Sequence, residues 1–207
     1  MNKPKTYTTV KYRGEAELIE KKSRFIGHAI PIKTEEEAQM FISDMRSKYY
    51  DATHNVYAYV LQENNIARFS DDGEPGGTAG MPVMEVLKQE NITDCLIVVT
   101  RYFGGTLLGA GGLVRAYSKS AKMAVLDAEI TEKVYCYGVK ITAGYDLLGK
   151  LRYIVENGGH ILDDIVYGED ITIKAYIKYD FLDKFKKEIT EATGGKTEVI
   201  ITGEKYV

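Results

Sequence analysis

The apolar positions along this chain change period several times, and each change marks an element. Residues 17–23 and 25–32 carry the alternation of two strands set as a hairpin. Thr34 and Glu37 stand at the spacing of a capping box, in which both side chains satisfy free amides at a helix start. Ala38, Phe41, Ile42, Met45 and Tyr49 follow at helical spacing, predicting a helix over 35–49. Strands are predicted over 54–61 and 67–70. Pro82 fits only the first turn of a helix, whose core stripe is Val83, Val86 and Leu87 and whose end lies near Asn91. The unbroken apolar run 95–100 reads as a strand buried on both faces. A helix over 112–128 follows, with Val114, Tyr117, Ala121, Ala124, Val125 and Ala128 as its core stripe.

After Ile130 the grammar shifts. A strand (133–142) precedes a helix (146–157) with Leu148, Leu151 and Val155 aligned. Strands over 160–167 and 171–179 flank Gly168-Glu169-Asp170, then a helix (181–192, Leu182, Phe185, Ile189) leads to a last strand (196–202). The order βαββαβ is that of a ferredoxin-like split βαβ domain. The expected fold class is α+β, with one domain over 1–130 and a ferredoxin-like domain over 131–207.

The chain has 207 residues and a net charge of −3. Neither half is basic overall, so any contact with nucleic acid must come from a local patch rather than a global field. Cys95 and Cys136 lie in separate apolar runs without a CxxC spacing, as expected of buried, reduced thiols. No apolar stretch approaches the roughly 20 residues of a membrane span, and the first thirty residues lack the apolar core of a signal peptide. The expectation is a cytoplasmic protein with no membrane partner.

Glycine changes the picture most. Nine of the 20 glycines fall between Asp71 and Gly112, in the bursts DDGEPGGTAG and RYFGGTLLGAGGLVRAYS. Each glycine that alanine could replace gives up roughly 0.4–1 kcal/mol through the freer unfolded chain. Such density is expected where the backbone needs positive φ or where a guest approaches bare peptide. Gly76, Gly77 and Thr78 in the first burst, and Gly104, Gly105, Gly111 and Gly112 in the second, precede helices, and helix starts offer free amides to anions. Neither burst matches GxxxxGK[ST] or GxGxxG, and no cofactor is expected. Asp71, Asp72 and Glu74 have three open readings: caps for turns and the next helix, hard-metal ligands or acid/base groups, or a contact for a cationic partner.

Arg101 and Arg115 flank the second burst, and Lys119 and Lys122 continue the face of Arg115 at helical spacing. This face is either a seat for phosphate backbone, with Tyr102 and Phe103 offering stacking surfaces, or an ordinary solvated face. Tyr117 lies on the core stripe. His54 shares its strand side with Val56, Ala58 and Val60, so it reads first as a hydrogen-bonded histidine and second as a base. Ser118 has no GxSxG context. Thr172, Lys174, Tyr176 and Lys178 share one side of a strand, an arrangement able to meet single-stranded RNA or another surface.

The two glycine bursts, with the upstream ATHNVYAY run (52–59), resemble the YigZ/IMPACT family over about residues 15–130. The tail is similar to the small C-terminal domain of bacterial members. The resemblance implies a first domain like ribosomal small-subunit protein domain 2 and elongation factor G domain IV, and a tail like elongation factor G domain V. It implies contact with RNA, the ribosome or a translation factor, and for eukaryotic relatives translational control by protein competition. It implies no particular reaction. Gly76 stands where many relatives carry serine, and Met81 where some carry a basic residue.

The leading expectation is therefore a non-enzymatic binding protein. Its contact set is Gly76, Gly77, Thr78, Arg101, Tyr102, Gly104, Gly105, Gly111, Gly112, Arg115 and Lys119, beside a polar cluster of His54, Asp71, Asp72 and Glu74. The alternatives are an enzyme acting on a phosphorylated or nucleotide substrate, with a divalent ion at the DDGE loop, and a protein–protein interaction module.

Overall fold

A computed structural model describes residues 5–207. They form two compact units: Tyr7–Glu132, and Lys133–Val207 together with Lys5 and Thr6. The strand β1 (Thr6–Val10), which the alternation did not single out, starts the described chain.

The first unit then runs β2 (Gly14–Glu20), β3 (Ser23–Pro31), α1 (Glu35–Lys48), β4 (His54–Leu61), β5 (Ile66–Ser70), α2 (Gly80–Gln89), β6 (Cys95–Tyr102) and α3 (Ala110–Asp127). Its sheet has the order β2-β3-β6-β4-β5, every pairing antiparallel. Apolar clusters lie on both sides of this sheet. Phe25, Val56, Ile97 and Val99 pack with α2 and α3 residues such as Leu87, Tyr117 and Ala121. Ile30, Tyr59, Leu96 and Val98 pack with Ala38 and Ile42 of α1. Double coverage explains why residues 95–100 are apolar without alternation.

Local chemistry sets the helix starts. Thr34 caps α1 by accepting from the Glu37 amide at 3.2 Å. Glu37 returns a bond to the amide of Lys33, one residue before the cap, at 2.6 Å. The stripe of α3 differs from expectation at one position. Leu113 and Ala116 are buried beside Tyr117, Ala121, Ala124 and Val125, whereas Val114 is 37% exposed. On a helix starting at Ala110, Leu113 rather than Val114 lies on the row of Ala116, Tyr117 and Ser120.

In the second unit β7 (Ile130–Ala143, whose first three residues group with the first unit), α4 (Leu148–Asn157), β8 (Ile161–Tyr167), β9 (Ile171–Lys178), α5 (Leu182–Thr193) and β10 (Val199–Tyr206) follow in turn. Taken by themselves, the four strands of this unit pair as β10-β7-β9-β8, each of these three pairings antiparallel, which is the ferredoxin-like arrangement. Val139, Ile141, Ile173 and Ile177 meet Leu151, Val155, Phe185 and Ile189 in one core. β10 begins later than predicted because Gly194 and Gly195 both turn through positive φ, 60° and 75°. The fold is α+β, as its sequence pattern predicts.

Candidate functional site

The first glycine burst leaves β5 and winds around a single carboxylate. Asp71 accepts from the amides of Gly77 (2.9 Å), Ala79 (3.0 Å) and Gly80 (2.8 Å), so one side chain holds the loop and satisfies the free start of α2. Partial burial pushes this carboxyl up, but the three amides outweigh that and hold it below the ordinary range. Thr78 spends its hydroxyl inside the same turn, donating to the Pro75 carbonyl at 2.6 Å.

Asp72 points elsewhere. Its carboxylate takes the Asn55 amide at 2.7 Å and pairs with Arg46 at 2.8 Å. Its carbonyl oxygen lies 2.7 Å from His54 Nδ1. A carbonyl only accepts, so Nδ1 carries the proton and Nε2 is left facing Glu74 Oε1 at 3.8 Å.

Glu74 turns inward and is 7% exposed. One of its oxygens takes both Arg101 Nη1 at 2.6 Å and the Tyr117 hydroxyl at 2.7 Å. Burial, reinforced by the Glu74 carboxylate, raises the Tyr117 hydroxyl far above its usual value. The guanidinium of Arg101 sits 5.5 Å from the Phe25 ring and 5.6 Å from the Phe103 ring, and its Nε is buried without a partner.

Two readings change here. Asp71, Asp72 and Glu74 are adjacent in sequence but diverge to three separate tasks, and no cluster suited to a metal ion occurs among the described residues. Arg101, expected beside Arg115 on an open face, is 6% exposed and committed to Glu74. Strand alternation on β6 turns its side chain toward α3 and the loop. The link between Glu74, Arg101 and Tyr117 went unseen because it joins three elements. Its one faint signal is an arginine near the end of an otherwise largely apolar strand.

The glycines divide by task. A Cβ on Gly80 would come 2.7 Å from the Ser70 backbone, and one on Gly104 would come 2.0 Å from the Lys22 carbonyl carbon. Both are requirements of packing. Gly76 and Gly111 have neither a close neighbour nor a positive φ. Gly77 and Gly105 face open space as well, although their backbone needs positive φ, and a Cβ on Gly112 would press on Leu108.

Arg115, Lys119 and Lys122 are exposed on α3, opposite its buried stripe. Lys122 pairs with Glu90 at 3.3 Å. Arg115 and Lys119 have no ion pair among the described residues. The two also border a groove of about 480 Å³ between α2 and α3, lined by Pro82, Val86, Val114 and Met123 among others. Tyr102 is only half-buried, and its hydroxyl donates to Asp51 at 2.8 Å.

The Impact N-terminal domain matches residues 21–125. The IMPACT family member YvyE of Bacillus subtilis is 42% identical over 195 residues, spanning 94% of this chain and 90% of that protein. The chain belongs to the IMPACT family. In this IMPACT family chain the whole network from Asp71 to Lys119 falls inside the matched domain, while a domain of unknown function (DUF1949) matches residues 141–196. An IMPACT family member of Haemophilus influenzae is 32% identical over 85% of this chain and 87% of its own length. A solved structure titled "Crystal structure of an hypothetical protein" superposes with a TM-score of 0.62 at 25% identity, over 97% of this chain and 98% of that one. No helix among the described residues is long and apolar enough to cross a membrane.

Proposed function

We propose that this protein acts by binding rather than by catalysis, touching RNA or a translation component through the exposed face of α3 and the open glycines next to it. The observation that carries this reading is the state of Arg115 and Lys119, exposed, one helical turn apart and without ion pairs among the described residues. Most other cations of the same unit are neutralised by neighbouring carboxylates. Cations left unpaired near helix-start amides suit a phosphate backbone, which gains affinity by releasing its counterions. The resemblance of the two domains to parts of ribosomal proteins and elongation factor G points to the same class of partner. The divergence of Asp71, Asp72 and Glu74 weighs against an ion-dependent enzyme at that loop.

The test is gentle purification at low salt, followed by the 260/280 nm absorbance ratio and identification of any bound RNA. Native protein is expected to carry RNA or ribosomal subunits, and Arg115→Ala/Lys119→Ala is expected to lose them. A protein complex that survives nuclease and ignores the double substitution would replace this reading with a protein-interaction role.

A further inference from the structure

The turn between β2 and β3 has a conformation its residues resist. Glu20 pairs with Ser23, so Lys21 and Lys22 are the two central residues of a two-residue hairpin loop. Both have positive φ, 45° and 66°. Such loops favour Asn-Gly or Gly-Gly, because a Cβ is disfavoured in the left-handed region. Lysine at both positions sacrifices stability, and places where local preference is overridden concentrate at functional sites. The tip is also fixed in place, since the Lys22 backbone presses against Gly104 so closely that no Cβ fits there.

Beside this tip lies a cavity of about 250 Å³ whose lining includes Lys21, Arg115, Lys119 and Gly112, with Glu20 as the one carboxylate. Within the first unit, every lysine and arginine forms an ion pair except Arg13, Lys21, Lys22, Arg115 and Lys119, among the described residues. Arg13 rests on the Phe41 ring at 4.5 Å. Three of the other four line this one cavity, and Lys22 is next to them in the turn. Gly112 stands in the first turn of α3, where backbone amides lack helical acceptors. Cations without ion pairs, amides without helical acceptors and a small cavity describe a receptor for a compact anion.

We propose that this cavity seats a single phosphate group, with Lys21, Arg115 and Lys119 as its cations, and that the disfavoured turn is retained because it places Lys21 there. The proposal rests on the reading of α3 as a contact face and adds the chemical group and the turn. The volume suits one phosphate with part of its sugar rather than a whole dinucleotide cofactor, whose pockets reach several hundred Å³.

The decisive variant is Lys21→Asn/Lys22→Gly, which gives the turn the residues it prefers and so keeps the fold. Inorganic phosphate is titrated against chloride at constant ionic strength, following the amide resonances of Gly111 and Gly112 and the thermal midpoint. The native protein is expected to show a saturable response. The variant is expected to melt higher without phosphate yet bind it about tenfold more weakly, as loss of one charge-assisted contact implies. Lys88→Ala is the control, expected to respond like the native protein. No saturable response in the native protein, or an undiminished one in the variant, overturns the proposal. An RNA arm separates the two readings. Native protein that binds phosphate but no RNA keeps the seat and sinks the RNA contact. A variant that loses phosphate but holds RNA fully shows the seat to serve a free phosphorylated molecule.

Discussion

Arg101 Nη1 lies 2.6 Å from Glu74 Oε1, and both side chains are shut off from solvent. Removing one partner strands the other charge in the interior. Arg101→Ala is therefore expected to cost about 3–5 kcal/mol, measured by urea unfolding. Replacing both, as Glu74→Leu with Arg101→Met, is expected to recover most of that loss. A stable Arg101→Ala protein with unchanged fold would remove the pair from the account of how the first glycine loop is held.

Asp71 gives a pH signature. Its carboxyl is held below the ordinary range by the Gly77, Gly80 and Ala79 amides, against partial burial. A depressed carboxylate adds stability at pH values above its unfolded pKa of about 3.9, and that stability is lost as pH falls through the lower folded value. Asp71→Ala is expected to lower stability at neutral pH by about 0.5–2 kcal/mol, the range for losing a helix cap. It is also expected to flatten the acid limb of the stability curve.

His28 gives a signature of the same sign, but near neutrality. Burial lowers its pKa below 6.5, only partly offset by Glu15 and reinforced by Lys48. The unfolded chain then binds the proton more readily than the folded one. Stability is expected to fall as pH drops from about 6.5 toward the folded value. His28→Gln, which keeps a polar group for the Tyr49 hydroxyl at 3.1 Å, is expected to reduce that slope in thermal melts at pH 5 to 7.

Glycine substitutions separate packing from contact. Gly104→Ala meets the Lys22 backbone and is expected to destabilise strongly or fail to fold. Gly76→Ala meets open space with no positive φ, and is expected to gain roughly 0.4–1 kcal/mol. If Gly76 is bare so that a partner approaches its backbone, that more stable variant binds RNA less well. Unfolding curves and RNA titrations on the same two proteins check both statements.

The elements were legible because their periods are strong. β4 (His54–Leu61) and the βαββαβ order of the second unit follow from alternation and helical spacing. Ends were less legible, because they depend on caps and φ rather than on periodicity. β10 starts after two glycines with positive φ, and α3 starts earlier than its stripe implied. The site was half legible. Arg115 and Lys119 are exposed where helical spacing put them, whereas the burial of Arg101 was not legible because its partner Glu74 is 27 residues away in sequence. Lys21 and Lys22 carried no signal at all: the alternation put them inside a strand over 17–23, whereas β2 ends at Glu20 and the two lysines form the turn, with positive φ.

The most direct measurement is the salt dependence of RNA binding, with log affinity plotted against log salt concentration for native protein and Arg115→Ala/Lys119→Ala. Each phosphate neutralised contributes about 0.7–0.9 to the slope. The double variant is expected to bind more weakly and to lose about 1.4–1.8 from the slope if both cations face phosphates. An identical slope and affinity would show that α3 meets no nucleic acid.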